Sequence, residues 1–242
     1  MDRRTGSWHS PSLQREMHVA TWGSRGKPVL LFPTAGGDFL ECERFLMIRV
    51  LTELIDSGRI RVYACGSVSG EGWLDKEAPP WHKSWIQARF DDYLVRELLP
   101  HIERETGRRD LVATGASLGA YNAITAATKH PDWFDLAIGM SGTYEFDRWM
   151  GNHRDENYYF NQPNYFLPGL TDPRALAQLR GVRFVLASGQ GRAEAPDESV
   201  RLAKLLESKG ARVDLEIWGA DAHHDWPTWR TMLPMFLSKL VP

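Results

Sequence analysis

The chain has 242 residues, 43% of them hydrophobic and 25% charged, with 29 Lys and Arg against 31 Asp and Glu. That length supports a substantial core without disulfide or metal staples, and a near-neutral balance with no basic stripe argues against a nucleic-acid binder. Two cysteines, Cys42 and Cys65, exclude a disulfide-dense secreted scaffold and leave a single bridge open.

The first residues, MDRRTGSWHSPSLQREM, hold no apolar h-region, and no run approaches the ~18 apolar residues of a membrane span. A soluble, cytoplasmic protein is expected. Residues 1–16 read as a loose N-terminal segment before an antiparallel strand around 17–22. PVLLF (28–32), RVYACG (61–66), LVATG (111–115), DLAIGM (135–140), RFVLASG (183–189) and VDLEIWG (213–219) read as strands. Helical patterns at 41–57, 84–106, 118–130, 173–180, 197–209 and 227–240 lie between and after them. This alternation predicts one α/β domain over 1–242, a mostly parallel sheet covered by helices on both faces. Two long aromatic stretches, 67–83 and 143–171, follow strands and so belong at the carboxyl edge of the sheet, where ligands bind. Trp73, Tyr144 and Trp149 in them are candidates to line a substrate pocket; the alternative is that they only pack the loops onto the body.

Between a strand and an Ala-rich helix stands Gly115-Ala116-Ser117-Leu118-Gly119. Random order of this composition gives about 0.1 matches to G-x-S-x-G, so its placement is what raises it above chance. A strained strand-to-helix turn exposes the serine, and only small residues fit two positions to either side. The competing reading is a helix N-cap serine. A serine hydroxyl needs a base, and the base needs an orienting acid. GADAHHDWPTW (219–229), after the last strand, offers His223 and His224. QGRAEAPDES (190–199), after the strand before it, offers Glu194, Asp197 and Glu198. Adjacent histidines diverge where metal ligands must converge, and the other histidines are scattered, so no metal is expected. GQGRAE lacks the third glycine of a dinucleotide loop, and no GxxxxGK[ST] occurs, so no nucleotide cofactor is expected either.

The stretches VLLFPTAGGDF, GASLGAY, YFNQPNYFLPGL, LASGQGRAE and HHDWPTWRTMLPMFL resemble the esterase D-like family of the α/β-hydrolase superfamily, with mycolyltransferases as more distant relatives. The resemblance runs over nearly the whole chain and is most specific at G-x-S-x-G and H-D-W-x-x-W. It implies an α/β-hydrolase fold without a large separate cap domain. The implied activity is hydrolysis of a small-molecule carboxylic ester through an acyl-serine, with no metal or organic cofactor. It puts the nucleophile at Ser117 and the base at His224, just before Asp225-Trp226. His223 is then turned elsewhere, and Asp225 begins the last helix. Glu194 is the expected triad acid, with Asp197 as alternate, though Asp197 suits a helix N-terminus equally well. The oxyanion hole would use the N–H groups of Leu118 and Ala35, with Gly36 as alternate to Ala35; Pro33 and Thr34 stand where the family often has His and Gly. An acyltransferase would use the same acyl-enzyme. A non-catalytic binding protein of this fold is the other alternative, against which the intact order of serine, acid and histidine argues. No membrane partner is expected, and the oligomeric state, a homo-oligomer included, stays open.

Overall fold

The computed structural model describes residues 1–242. Its strands are β1 (Arg3–Ser10), β2 (Arg15–Trp22), β3 (Lys27–Phe32), β4 (Ile60–Cys65), β5 (Leu111–Ala116), β6 (Phe134–Met140), β7 (Arg183–Ser188) and β8 (Arg212–Ile217). They form one sheet in the order β1-β2-β4-β3-β5-β6-β7-β8. β2 pairs antiparallel with both β1 and β4, and every other pairing is parallel. The inner strands read as unbroken apolar runs because both their faces are covered. Leu30 and Phe32 face one core; Val29 and Leu31 face the other.

The helices are α1 (Glu41–Arg44), α2 (Met47–Val50), α3 (Thr52–Asp56), α4 (Pro80–Tyr93), α5 (Leu99–Thr106), α6 (Leu118–Lys129), α7 (Asp147–Met150), α8 (Glu156–Phe160), α9 (Pro163–Gly169), α10 (Pro173–Gly181), α11 (Pro196–Ser208) and α12 (Trp226–Leu240). Phe90 of α4, Tyr121 of α6 and Leu202 of α11 pack on the Leu30–Phe32 side. Met47 of α2, Leu54 of α3 and Phe236 of α12 pack on the Val29–Leu31 side. This doubly wound sheet is the expected α/β-hydrolase architecture. None of its helices is long and apolar enough to cross a membrane.

Three expectations change. Residues 3–10 are not loose: they pair with β2 from Arg3↔Trp22 to Ser10↔Arg15. The Trp8 indole (2.8 Å) and Ser10 hydroxyl (2.8 Å) donate to Glu97 on the helical segment between α4 and α5. The helical pattern at 41–57 becomes three short helices, broken where Leu46 takes φ 63°. The pattern at 84–106 is a helix interrupted by a π-turn over Leu94–Leu98, where the Leu99 N–H reaches back to Leu94 O. Pro100 lies just beyond; lacking an N–H, it cannot continue the ordinary ladder. Cys42 and Cys65 are both free and buried, so the bridge the sequence left open does not form.

Candidate active site

β5 delivers Ser117 in a conformation that costs energy. Its φ of 57° and ψ of −123° are forbidden ground for most non-glycine residues. Its side chain, although at the N-cap position of α6, makes no capping hydrogen bond. The turn closes only because of its flanking glycines. A Cβ on Gly115 would stand 2.4 Å from the Gly119 carbonyl carbon, and one on Gly119 would stand 2.5 Å from Pro33 O. The Ser117 N–H donates to Met140 O at 3.0 Å, tying the turn to the end of β6. Leu118, the first residue of α6, carries an N–H with no acceptor inside the helix. The contact of Gly119 with Pro33 lays the 33–38 loop against this turn. There Thr34 donates its N–H (2.7 Å) and hydroxyl (2.6 Å) to the buried carboxylate of Glu41. Ala35 in the same loop is half-buried against the core, and Gly36 is exposed.

The loop after β8 is fastened to the loop after β7. Gly191 N–H donates to Ala222 O (2.9 Å) and His224 N–H donates to Arg192 O (3.1 Å). A Cβ on Gly189 would lie 2.0 Å from Ala222 O, and one on Gly191 2.1 Å from His223 Nδ1. Close backbone contact, not phosphate binding, therefore accounts for the glycines of GQG. His223 turns outward and accepts the Arg192 N–H on Nδ1 at 2.9 Å, a bond that fixes its tautomer with the proton on Nε2. His224 turns inward, 23% exposed, with its ring edge-on to Trp229 at 5.2 Å. Its Nδ1 lies 3.7 Å from Glu194 Oε2, within ion-pair range and beyond hydrogen-bond reach, and has no other partner. No hydrogen bond joins Ser117 Oγ to His224.

The Glu194 side chain is 1% exposed. It accepts the Ser141 hydroxyl on Oε1 (2.6 Å) and the Ser188 hydroxyl on Oε2 (3.0 Å). Ser141 in turn accepts the Trp229 indole N–H at 2.9 Å. Burial pushes the Glu194 carboxyl up, but the His224 imidazole and these two hydroxyls outweigh it and hold the carboxyl below its ordinary value. The alternate acid, Asp197, sits exposed in the first turn of α11, and Ala195 rather than Asp197 holds the N-cap position. Its charge suits the helix dipole there, and no contact joins it to His224. Asp225 caps α12 by accepting the Trp226 N–H at 2.7 Å.

Ser141, Ser188 and Glu41 escaped the reading of the sequence. The two serines do carry a signal: each stands at the carboxyl end of a parallel strand, Ser141 just after β6 and Ser188 closing β7. The pocket candidates need correction. Trp73 (2% exposed) and Tyr144 (1%) are buried, not free walls over the nucleophile. Trp73 packs against Phe146 and Tyr121; the Tyr144 hydroxyl fills the space above Gly139 and Gly142. Trp149 is half-buried under the Arg148 guanidinium. Tyr144 edges one cleft of about 390 Å³ and Trp73 and Trp149 another of about 310 Å³; neither includes Ser117 or His224. No group of three or more His, Cys, Asp or Glu side chains in the structure could hold a metal ion.

A strained serine between glycines at the end of β5, with an inward histidine after β8, defines an α/β-hydrolase. The chain belongs to the family described as “Putative esterase”, whose sequence model matches residues 10–240. Among curated protein sequences none matches it. Solved structures of similar fold include a ferulic acid esterase, at 17% identity and TM-score 0.73, over 99% of this chain and 97% of that one. S-formylglutathione hydrolase of Staphylococcus aureus aligns at 15% identity and TM-score 0.72, over 100% and 96%. Fluorophosphonate-binding serine hydrolase F of the same organism aligns at 16% and 0.74, over 100% and 98%.

Proposed function

We propose that the protein is a serine esterase that cleaves a small-molecule carboxylic ester through an acyl-serine. Ser117 Oγ attacks the ester carbonyl carbon while His224 Nε2 takes its proton. The backbone N–H groups of Leu118 and Ala35 donate to the oxyanion, a contribution worth about 3 kcal/mol per donor. The C–O bond then breaks, and His224 returns the proton to the leaving alcohol. Water repeats the sequence on the acyl-serine and releases the acid. Glu194 stabilises the imidazolium formed in each half; the 3.7 Å separation from His224 Nδ1 closes as that charge develops, since catalytic hydrogen bonds tighten in the reacting complex.

The observation that carries this reading is the Ser117 turn, held in a strained conformation with a hydroxyl that caps nothing. Such strain persists only where the surroundings enforce it. The test is hydrolysis of a p-nitrophenyl ester series with fluorophosphonate labelling alongside. Ser117→Ala should lose turnover by about 10⁴-fold or more and lose the label, while keeping the wild-type circular dichroism. Turnover that survives the substitution contradicts the reading.

A further inference from the structure

The loop after β4 and the loop after β6 enclose the cleft of about 310 Å³ on the same edge of the sheet as Ser117. It adjoins the proposed oxyanion loop: Leu74 on its wall stands 3.9 Å from where a Cβ on Gly36 would lie. Trp73, on another wall, meets Tyr121 in the first turn of the nucleophile helix edge-on at 6.1 Å. Three cations line the cleft, Lys76, Lys83 and Arg148, against one carboxylate, Asp75. None of the three lies within 4 Å of a carboxylate, whereas most of the ion pairs elsewhere tie arginines to acids. Lys83 is 4% exposed. Its ammonium donates to Gly72 O at 2.8 Å and to Asp75 O, two neutral carbonyls, and the Asp75 carboxylate, beyond ion-pair distance, offsets only part of its charge. Burial pushes its pKa down. A buried cation whose counter-charge is only distant is costly, and three cations facing one carboxylate leave room for a further anion. Arg148 rests over Trp149, its Cζ 4.3 Å from the ring centroid, a contact that lowers the ordering cost when it meets a ligand.

We propose that this cleft is an anion subsite, and that the preferred substrate is an ester carrying a carboxylate on one of its two arms. The inference rests on the esterase reading for its chemistry. The subsite takes the carboxylate while the ester carbonyl sits at Ser117, with the half-buried Trp149 beside the connecting chain.

Matched esters test it: p-nitrophenyl hydrogen suberate against p-nitrophenyl octanoate for the acyl arm, and 4-acetoxyphenylacetate against its methyl ester for the alcohol arm. In at least one pair kcat/KM should favour the anionic member about tenfold or more, a difference of about 1.4 kcal/mol, and the preference should shrink as salt is added. Lys83→Met would also strip two loop carbonyls of their donor and so confounds binding with folding; the exposed cations carry the test. The double variant Lys76→Gln, Arg148→Gln should lose most of the preference, and Arg174→Gln on α10 should retain it. Turnover without charge preference in either pair overturns the subsite and leaves the esterase reading intact. If no ester is cleaved and Ser117 takes no label, the esterase reading falls. Calorimetric binding of the suberate dianion then decides alone: binding weakened by the double variant supports the subsite, and no binding overturns it.

Discussion

Glu194 keeps its charge in a buried position because three groups compensate it, and this makes the fold sensitive to acid. A carboxyl lowered by folding stabilises the native state above its unfolded value, here 4.5, and loses that contribution as the pH falls through the lowered one. Urea unfolding carried from neutral pH into the acid range should show this loss, and Glu194→Gln should flatten the curve below that value. Ser141→Ala, which removes one donor and raises the folded-state value, should make the loss smaller and complete it at higher pH. The histidines differ as sharply. His224→Ala should lower kcat about 10⁴-fold or more. His223→Ala gives up the bond from Arg192, about 1 kcal/mol of stability, and should retain most turnover; equal losses in the two variants would contradict the assignment. Ser117 was legible because a strained turn restricts which residues may flank it. The choice between His223 and His224 was not legible from spacing alone, since neighbouring side chains diverge whichever one faces inward. Ser141 and Ser188 stayed hidden because only the sheet order shows that their strand ends meet at one carboxylate.

Two pairs of loops set the site, and each is held by a contact with no slack. Gly191→Ala would drive a Cβ into His223 and Ala222 O. The loops should part at a cost of about 1–3 kcal/mol, with a fall in kcat larger than the change in KM. On the other side Glu41 holds the 33–38 loop through two bonds from Thr34. In Glu41→Gln only one amide atom can accept, so one Thr34 donor loses its partner. We expect kcat to fall tenfold to a hundredfold, about or below the loss of one oxyanion donor, with Ser117 still labelled by fluorophosphonate. The five inner strands β3 to β7 were legible because burial on both faces writes itself as an apolar run. β1 was not: it is an edge strand, RRTGSWHS, exposed over most of its length, and only its pairing with β2 reveals it. The π-turn before Pro100 left the apolar spacing of 84–106 nearly unchanged, so the break was invisible to periodicity.

At the level of the molecule, the sheet has two edges and protects them differently. β8 carries alternating charges, Arg212, Asp214 and Glu216, which oppose the addition of another strand. The other end is closed by β1, tied by Trp8 and Ser10 to Glu97 on the helical segment between α4 and α5. Removing residues 1–10 should uncover the backbone of β2 and leave Glu97 without its Trp8 and Ser10 donors. The shortened chain should melt earlier and scatter light in a concentration-dependent way, whereas unchanged melting and scattering would mean that β1 contributes little.

The two buried thiols supply a clock for such motions. Burial pushes both their pKa values far up, so neither reacts with a thiolate-seeking reagent until its surroundings open. Cys42 follows Glu41 in α1, beside the 33–38 loop, and Cys65 closes β4 in the middle of the sheet. Labelling at Cys42 that outpaces labelling at Cys65 would time the breathing of one catalytic loop against the unfolding of the whole.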